Sequence, residues 1–462
     1  LTFLPNSGHT GKAIAETLIH FLKDYDIDIK DCRGQSYDNA ANMSGKYNGM
    51  QAFIKRVNGY AIFVPCCGHS LNLVGKTAAN SCPSAIKFFD FVQNIYVFFT
   101  ASPARYQILT KKLSLKDSNT QFHVPKNLND TRWSCRADAT KALVLGYNVF
   151  KETLDYISKD PEQKEVVKNE ANGLLKKITS FEIAFYLLFW NDILDRFNAT
   201  NHLLQNPKMV LQSAVTALTS LKLFVQDKRN SFDEYKEAAK KMSGKTVYPE
   251  IRIRSQNVRL TPLESRNQET TQLSQTEKFR SDNFLPVIDQ LYTSLTDRIK
   301  AYDIICKRFG FFSKLGIIET SELLLSATNL VNIYSEDLES TLGNELLQFN
   351  GLVNLRQKDC RKEESWELFL FRILYEDNLK VTFPNVDIAL RMYLVLMVAN
   401  SSGERSFSKM KLIKNRLRTT MTQDRLSNLT ILSIESDVLR SLDFEDTIKQ
   451  FSIKKSRKVC LL

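Results

Sequence analysis

Apolar residues recur at two different periods along this chain, and the switch between them divides it. From Lys12 to Leu22, Ile14, Leu18, Phe21 and Leu22 fall at helical spacing. Asp24, Asp26 and Asp28 close that segment and lead into a short predicted strand over 29–33. A turn rich in glycine and asparagine follows, then a helix with Met50, Phe53, Ile54 and Val57 on one face. The compact run Ala61-Ile62-Phe63-Val64, ended by Pro65, predicts a buried strand. Helix–strand–helix–strand at this spacing predicts an α/β unit with parallel pairing, residues 1–75. From 76 to 385 the pattern is helical almost throughout, apart from a polar stretch at 242–281 that lacks apolar periodicity and predicts a surface loop. Its arginines at 252, 254, 259, 266 and 280 suit a solvated linker or phosphate contacts. The last part, 386–462, predicts an apolar helix over 386–398, a turn at Asn400-Ser401-Ser402-Gly403, a basic helix, and a further helix capped by Thr422.

Composition adds a partner class. The chain has 462 residues and a formal net charge of +12, which suits an anionic partner such as DNA or RNA. Between Gly403 and Arg425 seven Lys/Arg stand against two acids. The eight cysteines form no C-x-x-C pair and no dense framework, so neither a disulfide scaffold nor a zinc ribbon is indicated. The longest apolar runs are too short to cross a bilayer. The chain opens on Leu1 inside an expected strand, and upstream sequence is expected to be missing.

Three segments carry candidate chemistry. In Cys32-Arg33-Gly34-Gln35-Ser36-Tyr37-Asp38-Asn39-Ala40-Ala41-Asn42-Met43-Ser44-Gly45, Asp38 sits just past a strand end, where a carboxylate either holds a divalent metal or bonds its own turn. In Pro65-Cys66-Cys67-Gly68-His69-Ser70-Leu71-Asn72-Leu73, Cys66 and His69 have metal-ligand spacing but lack the second pair of a closed zinc site. The alternative is a strand-end pair that braces its surroundings. In Ser401-Ser402-Gly403-Glu404-Arg405-Ser406-Phe407-Ser408, Glu404 stands at a helix amino end, where the dipole favours a carboxylate.

Taken in order, these segments, Thr131-Arg132-Trp133 and the run from Lys414 to Leu429 resemble the hAT superfamily of DNA transposases. The likeness is greatest to domesticated or relic members such as the transposase-like regions of MYM-type zinc-finger and THAP-type proteins. The resemblance implies a mixed α/β, predominantly helical fold: a partial ribonuclease H-like core (1–75 and part of 386–462) interrupted by a large all-α insertion (76–385). It makes Asp38 and Glu404 the second and third metal-binding acids of a site for Mg2+ or Mn2+, with the first aspartate absent from this chain. Cys66 and His69 then match a C-x-x-H element beside that site, and Arg132 and Trp133 an Arg-Trp element of the insertion. Without the match, Trp133 reads as a core aromatic.

Arg132, Trp133, Arg405, Lys409, Lys411, Lys414, Arg416 and Arg418 are the expected DNA contacts. Leu426, Leu429 and Leu432 are expected either to pack against a second copy in a dimer or to close the core. The expectation is a nuclear protein (alternatively cytoplasmic) that binds DNA and dimerises, has no zinc finger in this chain, and does not cut DNA as it stands. The alternatives are a fragment of an active metal-dependent transposase and a helical protein-interaction scaffold.

Overall fold

The computed structural model describes residues 2–5, 8–116, 124–128, 134–206, 209–245, 274–361, 364–396, 398–415 and 417–453. It is predominantly helical, and the strands among the described residues are β1 (Gly34–Tyr37) and β2 (Ile62–Pro65). They pair in parallel, as expected, with Gly34 opposite Ile62 and Tyr37 opposite Pro65. No helix among the described residues is long and apolar enough to cross a membrane.

Chain contacts divide the molecule into two compact units. The first takes residues 1–32, 40–61 and 400–462; the second takes 33–39 and 62–399.

In the first unit the helix Gly11–Lys23 starts where Thr10 Oγ1 accepts a hydrogen bond from the Ala13 amide at 3.2 Å. Gly11 is required there. A Cβ at this position would lie 2.5 Å from the Met50 amide nitrogen and 2.6 Å from the Asn42 carbonyl oxygen, both rigid backbone. This close approach seats the helix against Met50–Val57. The expected strand at 29–33 is instead a 3-10 turn, Ile29–Asp31. Asp28 caps it by accepting from the Lys30 amide. The buried Asn58 carboxamide donates to the carbonyls of Ile29, Lys30 and Cys32 at 2.9, 2.9 and 2.7 Å, so those acceptors are taken by a side chain and not by a ladder. Residues 2–5 likewise form no strand. Phe3 instead docks by its backbone, its amide donating to Ser427 Oγ and its carbonyl accepting from Gln423.

The core of the second unit is built on Phe181–Leu204, whose buried side chains point all round its axis, the mark of a central helix. Ser180 caps it by accepting from the Ile183 amide. Phe185 packs edge-on against Phe279 at 5.1 Å, and Phe189 against Phe284 at 5.3 Å. Phe279 and Phe284 are five residues apart, a spacing that diverges on an α-helix. The π-helical turn Arg280–Phe284 brings them to one side. Tyr186 donates to the Asn283 carbonyl inside that turn at 3.0 Å. The polar stretch therefore ends earlier than expected: 274–281 runs into helix through a capping box between Ser274 and Glu277. At its other end Phe232–Ser243 is helical through 243, and 246–273 lie outside the described residues. The apolar helix near the end is Pro384–Leu394, shorter than the expected 386–398.

Candidate functional site

The two candidate carboxylates fall in different units, and each has its own surroundings. Asp38 follows the last residue of β1, half-buried, at the carboxyl edge of the parallel pair. The next position on the neighbouring strand is Cys66, whose amide donates to the Tyr37 carbonyl at 3.3 Å. Asn39 Nδ2 then donates to Ser70 Oγ at 3.0 Å, tying the loop that carries Asp38 to the first turn of the helix Cys67–Ala79. The rigid parts of this edge are therefore set by the parallel register.

Cys66 is the N-cap residue of that helix and His69 lies one turn in, half-buried. Cys67 is buried, its amide donating to the Val398 carbonyl at 2.9 Å. Burial pushes the Cys67 thiol up to about 12, so it stays protonated and is neither a nucleophile nor a thiolate ligand near neutral pH. Tyr302 donates to the Pro65 carbonyl at 3.0 Å, and burial holds its phenol far above the usual range. Cys67 and Tyr302 therefore act as neutral packing and hydrogen-bonding groups behind the strand edge. Among the described residues no group of three or more His, Cys, Asp or Glu side chains is arranged to hold a metal ion.

Glu404 lies in the first turn of Ser401–Ile413 with its side chain exposed. The turn expected at 400–403 is absent, because the helix begins at Ser401. This helix packs along Gln423–Ile434 through Gly403, Ser406, Met410 and Ile413, which share one face and are less exposed than their neighbours. Glu404, Ser408 and Lys411, at i, i+4 and i+7, share the opposite face. Lys411, Lys414 and Arg418 are exposed and have no ion pair among the described residues. Arg405 donates to Ser402 Oγ. Lys409 donates to the Ser433 carbonyl at 2.6 Å, at the carboxyl end of Gln423–Ile434, where a cation offsets the helix dipole. Arg132, Trp133 and Arg416 lie outside the described residues.

Thr422 is the N-cap of Gln423–Ile434, as expected, although its side chain accepts no capping bond. Leu426 is buried, Leu429 half-buried, and Leu432 46% exposed. The first of these closes the unit's own core, and Leu432 is available to a partner. The sequence pattern did not flag Phe407. It is 60% exposed and stacks edge-on with Phe3 at 5.7 Å. With Ile431 and Ile434 these two rings line an apolar groove of about 750 Å3 that Arg405, Lys409 and Glu435 also border. One large ring on an otherwise basic, serine-rich helix was the signal available.

Two family models match the chain. One, described as the ZMYM1/FAM200 RNase-like domain, covers residues 2–49. The other, the hAT family C-terminal dimerisation region, covers 358–438 and so includes Ser401–Ile413 and Gln423–Ile434. Over residues 358–438 the chain is therefore similar to the hAT family. Similarity to curated proteins extends beyond the matched ends. The human "52 kDa repressor of the inhibitor of the protein kinase" is 22% identical over 431 residues, 90% of this chain and 54% of the relative. The mouse protein of that name is 22% identical over 432 residues, covering 90% and 55%. The chain spans about half the length of the curated relatives it matches.

Proposed function

We propose that this chain is a hAT-derived protein that binds DNA and self-associates, and that residues 1–462 do not by themselves cut DNA. The observation that carries DNA binding is the basic side of Ser401–Ile413 and the turn after it. Lys411, Lys414 and Arg418 stand exposed there without acidic partners among the described residues, as phosphate-contacting side chains must. The formal charge of +12 supports the same reading. The dimerisation-region match supports a homo-oligomer, and a dimer is the simplest closed form. We read residues 1–75 as part of a ribonuclease H-like core, 76–385 as the helical insertion and 386–462 as its carboxyl-terminal completion. The site of action is the nucleus. The relatives' printed name, a repressor, favours a regulatory role over a nuclease one.

A complete hAT transposase would use Mg2+ or Mn2+ at three acids. The donor set of this chain does not fit two divalent ions. Asp38 and Glu404 are two carboxylates, no third acidic, thiol or imidazole donor joins either in a cluster among the described residues, and in-line displacement between two metals needs a bridging acid. No cleavage step is therefore assigned to these residues. The test is to incubate the purified chain with supercoiled plasmid and Mg2+ or Mn2+. No nicking above buffer is expected, and nicking that Asp38→Asn abolishes would overturn the inactive reading. DNA binding is tested by fluorescence anisotropy with a duplex over a range of salt; salt-insensitive or absent binding would favour the helical scaffold reading instead.

A further inference from the structure

We infer that the groove lined by Phe3, Phe407, Ile431 and Ile434 is filled by the terminal helix Glu445–Ile453 of a second copy, in a reciprocal two-fold exchange. This rests on the self-association reading above and names the surfaces that would carry it. The groove is unusual for a solvated surface because Phe407 stays 60% exposed beside a cavity of about 750 Å3, a size that takes several large apolar side chains.

The occupant is argued from three observations. First, Glu445–Ile453 has no buried residue in its own chain, and Phe444, Ile448 and Phe451 are 39%, 48% and 55% exposed. They fall at i, i+4 and i+7, one face, which is the spacing of a helix that inserts anchors into a groove. Second, the charges match. Asp443, Glu445 and Asp446 cluster at the start of that helix, and the groove is lined by two cations, Arg405 and Lys409, against one acid, Glu435. Third, the groove's Phe407, Ile431 and Ile434 stand on two helices that the dimerisation-region match covers. The inserting helix Glu445–Ile453 is the next helix but one, separated from the match by residues 439–444. Groove and helix sit on the same chain, so one two-fold operation satisfies both copies and closes the assembly.

The full chain is to be studied by sedimentation velocity over a range of concentrations. Ile448→Asp and Phe407→Asp both alter exposed side chains, and each is checked by circular dichroism. The wild type is expected to dimerise, and each variant to weaken the dimer by about 30-fold or more, the scale of a lost central apolar anchor. Mixing the two variants leaves one intact groove facing one intact helix, so the mixture is expected to dimerise more tightly than either variant alone. A wild type that is monomeric throughout would overturn self-association itself. A dimer untouched by both substitutions would leave self-association standing and overturn this pairing. Open-ended growth with concentration would also overturn the two-fold exchange. A synthetic peptide spanning 442–453 is expected to bind the Ile448→Asp chain and to fail with Phe407→Asp.

Discussion

Arg33 grips Asp337 through two parallel hydrogen bonds, Nε to Oδ2 at 2.7 Å and Nη2 to Oδ1 at 2.6 Å, with only 13% and 18% of the side chains exposed. The pair fixes the residue entering β1 to the segment after the helix Thr320–Ile333. Arg33→Ala leaves the Asp337 carboxylate largely buried without its fork. It is expected to lower stability by about 2 kcal/mol or more, and Arg33→Lys should recover only part, since an ammonium cannot reproduce the two-pronged geometry. Urea denaturation of the three proteins checks this, and equal midpoints would refute it.

Asn58→Ala should cost about 2–3 kcal/mol, because it strips the carbonyls of Ile29, Lys30 and Cys32 of their shared donor in a buried place. Asn58→Asp keeps the size but removes the donating nitrogen, and is expected to be no better. Thermal melts distinguish a supporting amide from a bystander; a shift within error for both variants would dismiss the role.

Alkaline titration has a defined sign. A thiol in the unfolded chain releases its proton near 9.0, and buried Cys67 holds it to about 12. Below pH 9 both states keep the proton and stability does not depend on this group. Above it, only the unfolded state ionises, so stability falls by about 1.4 kcal/mol per pH unit until the folded thiol also titrates. Tyr147 adds a like effect above pH 10, since burial moves it from 10.0 to about 12. Cys67→Ala should therefore reduce the slope of the stability profile between pH 9 and pH 10 without removing it, because burial also raises the Cys306 and Cys360 thiols, and leave the later fall. An unchanged slope in that window would contradict the assignment.

Charge reversal at Lys411 and Lys414 is expected to weaken duplex binding uniformly across DNA sequences. The slope of log affinity against log salt should shrink by about 0.9 for each lost phosphate contact. Binding isotherms at several salt concentrations decide it, and unchanged slopes would show that the basic side of Ser401–Ile413 does not face DNA.

Much of the small α/β part was legible in the sequence, for reasons that are local. The helix at 11–23 shows the 3.6-residue period, and the run before Pro65 has the length and branching of a strand. The strand expected at 29–33 fails because a side chain 26 to 29 residues away takes its carbonyls, a contact no window of sequence displays. Ser401, Ser402 and Gly403 have poor helix propensity and read as a turn, yet the helix starts at Ser401 and packs on Gln423–Ile434 from Gly403 onward. The helix at 275–279 was readable, since Ser274 and Glu277 form a capping box, but its polar composition outweighed that signal. At the candidate site the parallel register places Asp38 next to Cys66 across the strand edge. His69 lies in the first turn of the helix that follows, and no cluster of three such groups forms among the described residues. The groove was not legible, because Phe3 and Phe407 are about 400 positions apart and meet only through tertiary structure.

The chain passes between its two compact units at 32/33, 39/40, 61/62 and 399/400. A ribosome making this protein therefore alternates between the units, with β1 of the second made between two pieces of the first, and the last piece of the first, 400–462, made after the second is complete. The segment that receives Phe3 at Ser427 and Gln423 emerges more than 400 residues after Phe3 itself. A premature stop near residue 400 would thus not trim a tail. It would release a chain whose opening segment has lost Ser427, Gln423 and Phe407, the groups that hold Phe3, with the apolar side of that ring left for chaperones or proteases to find.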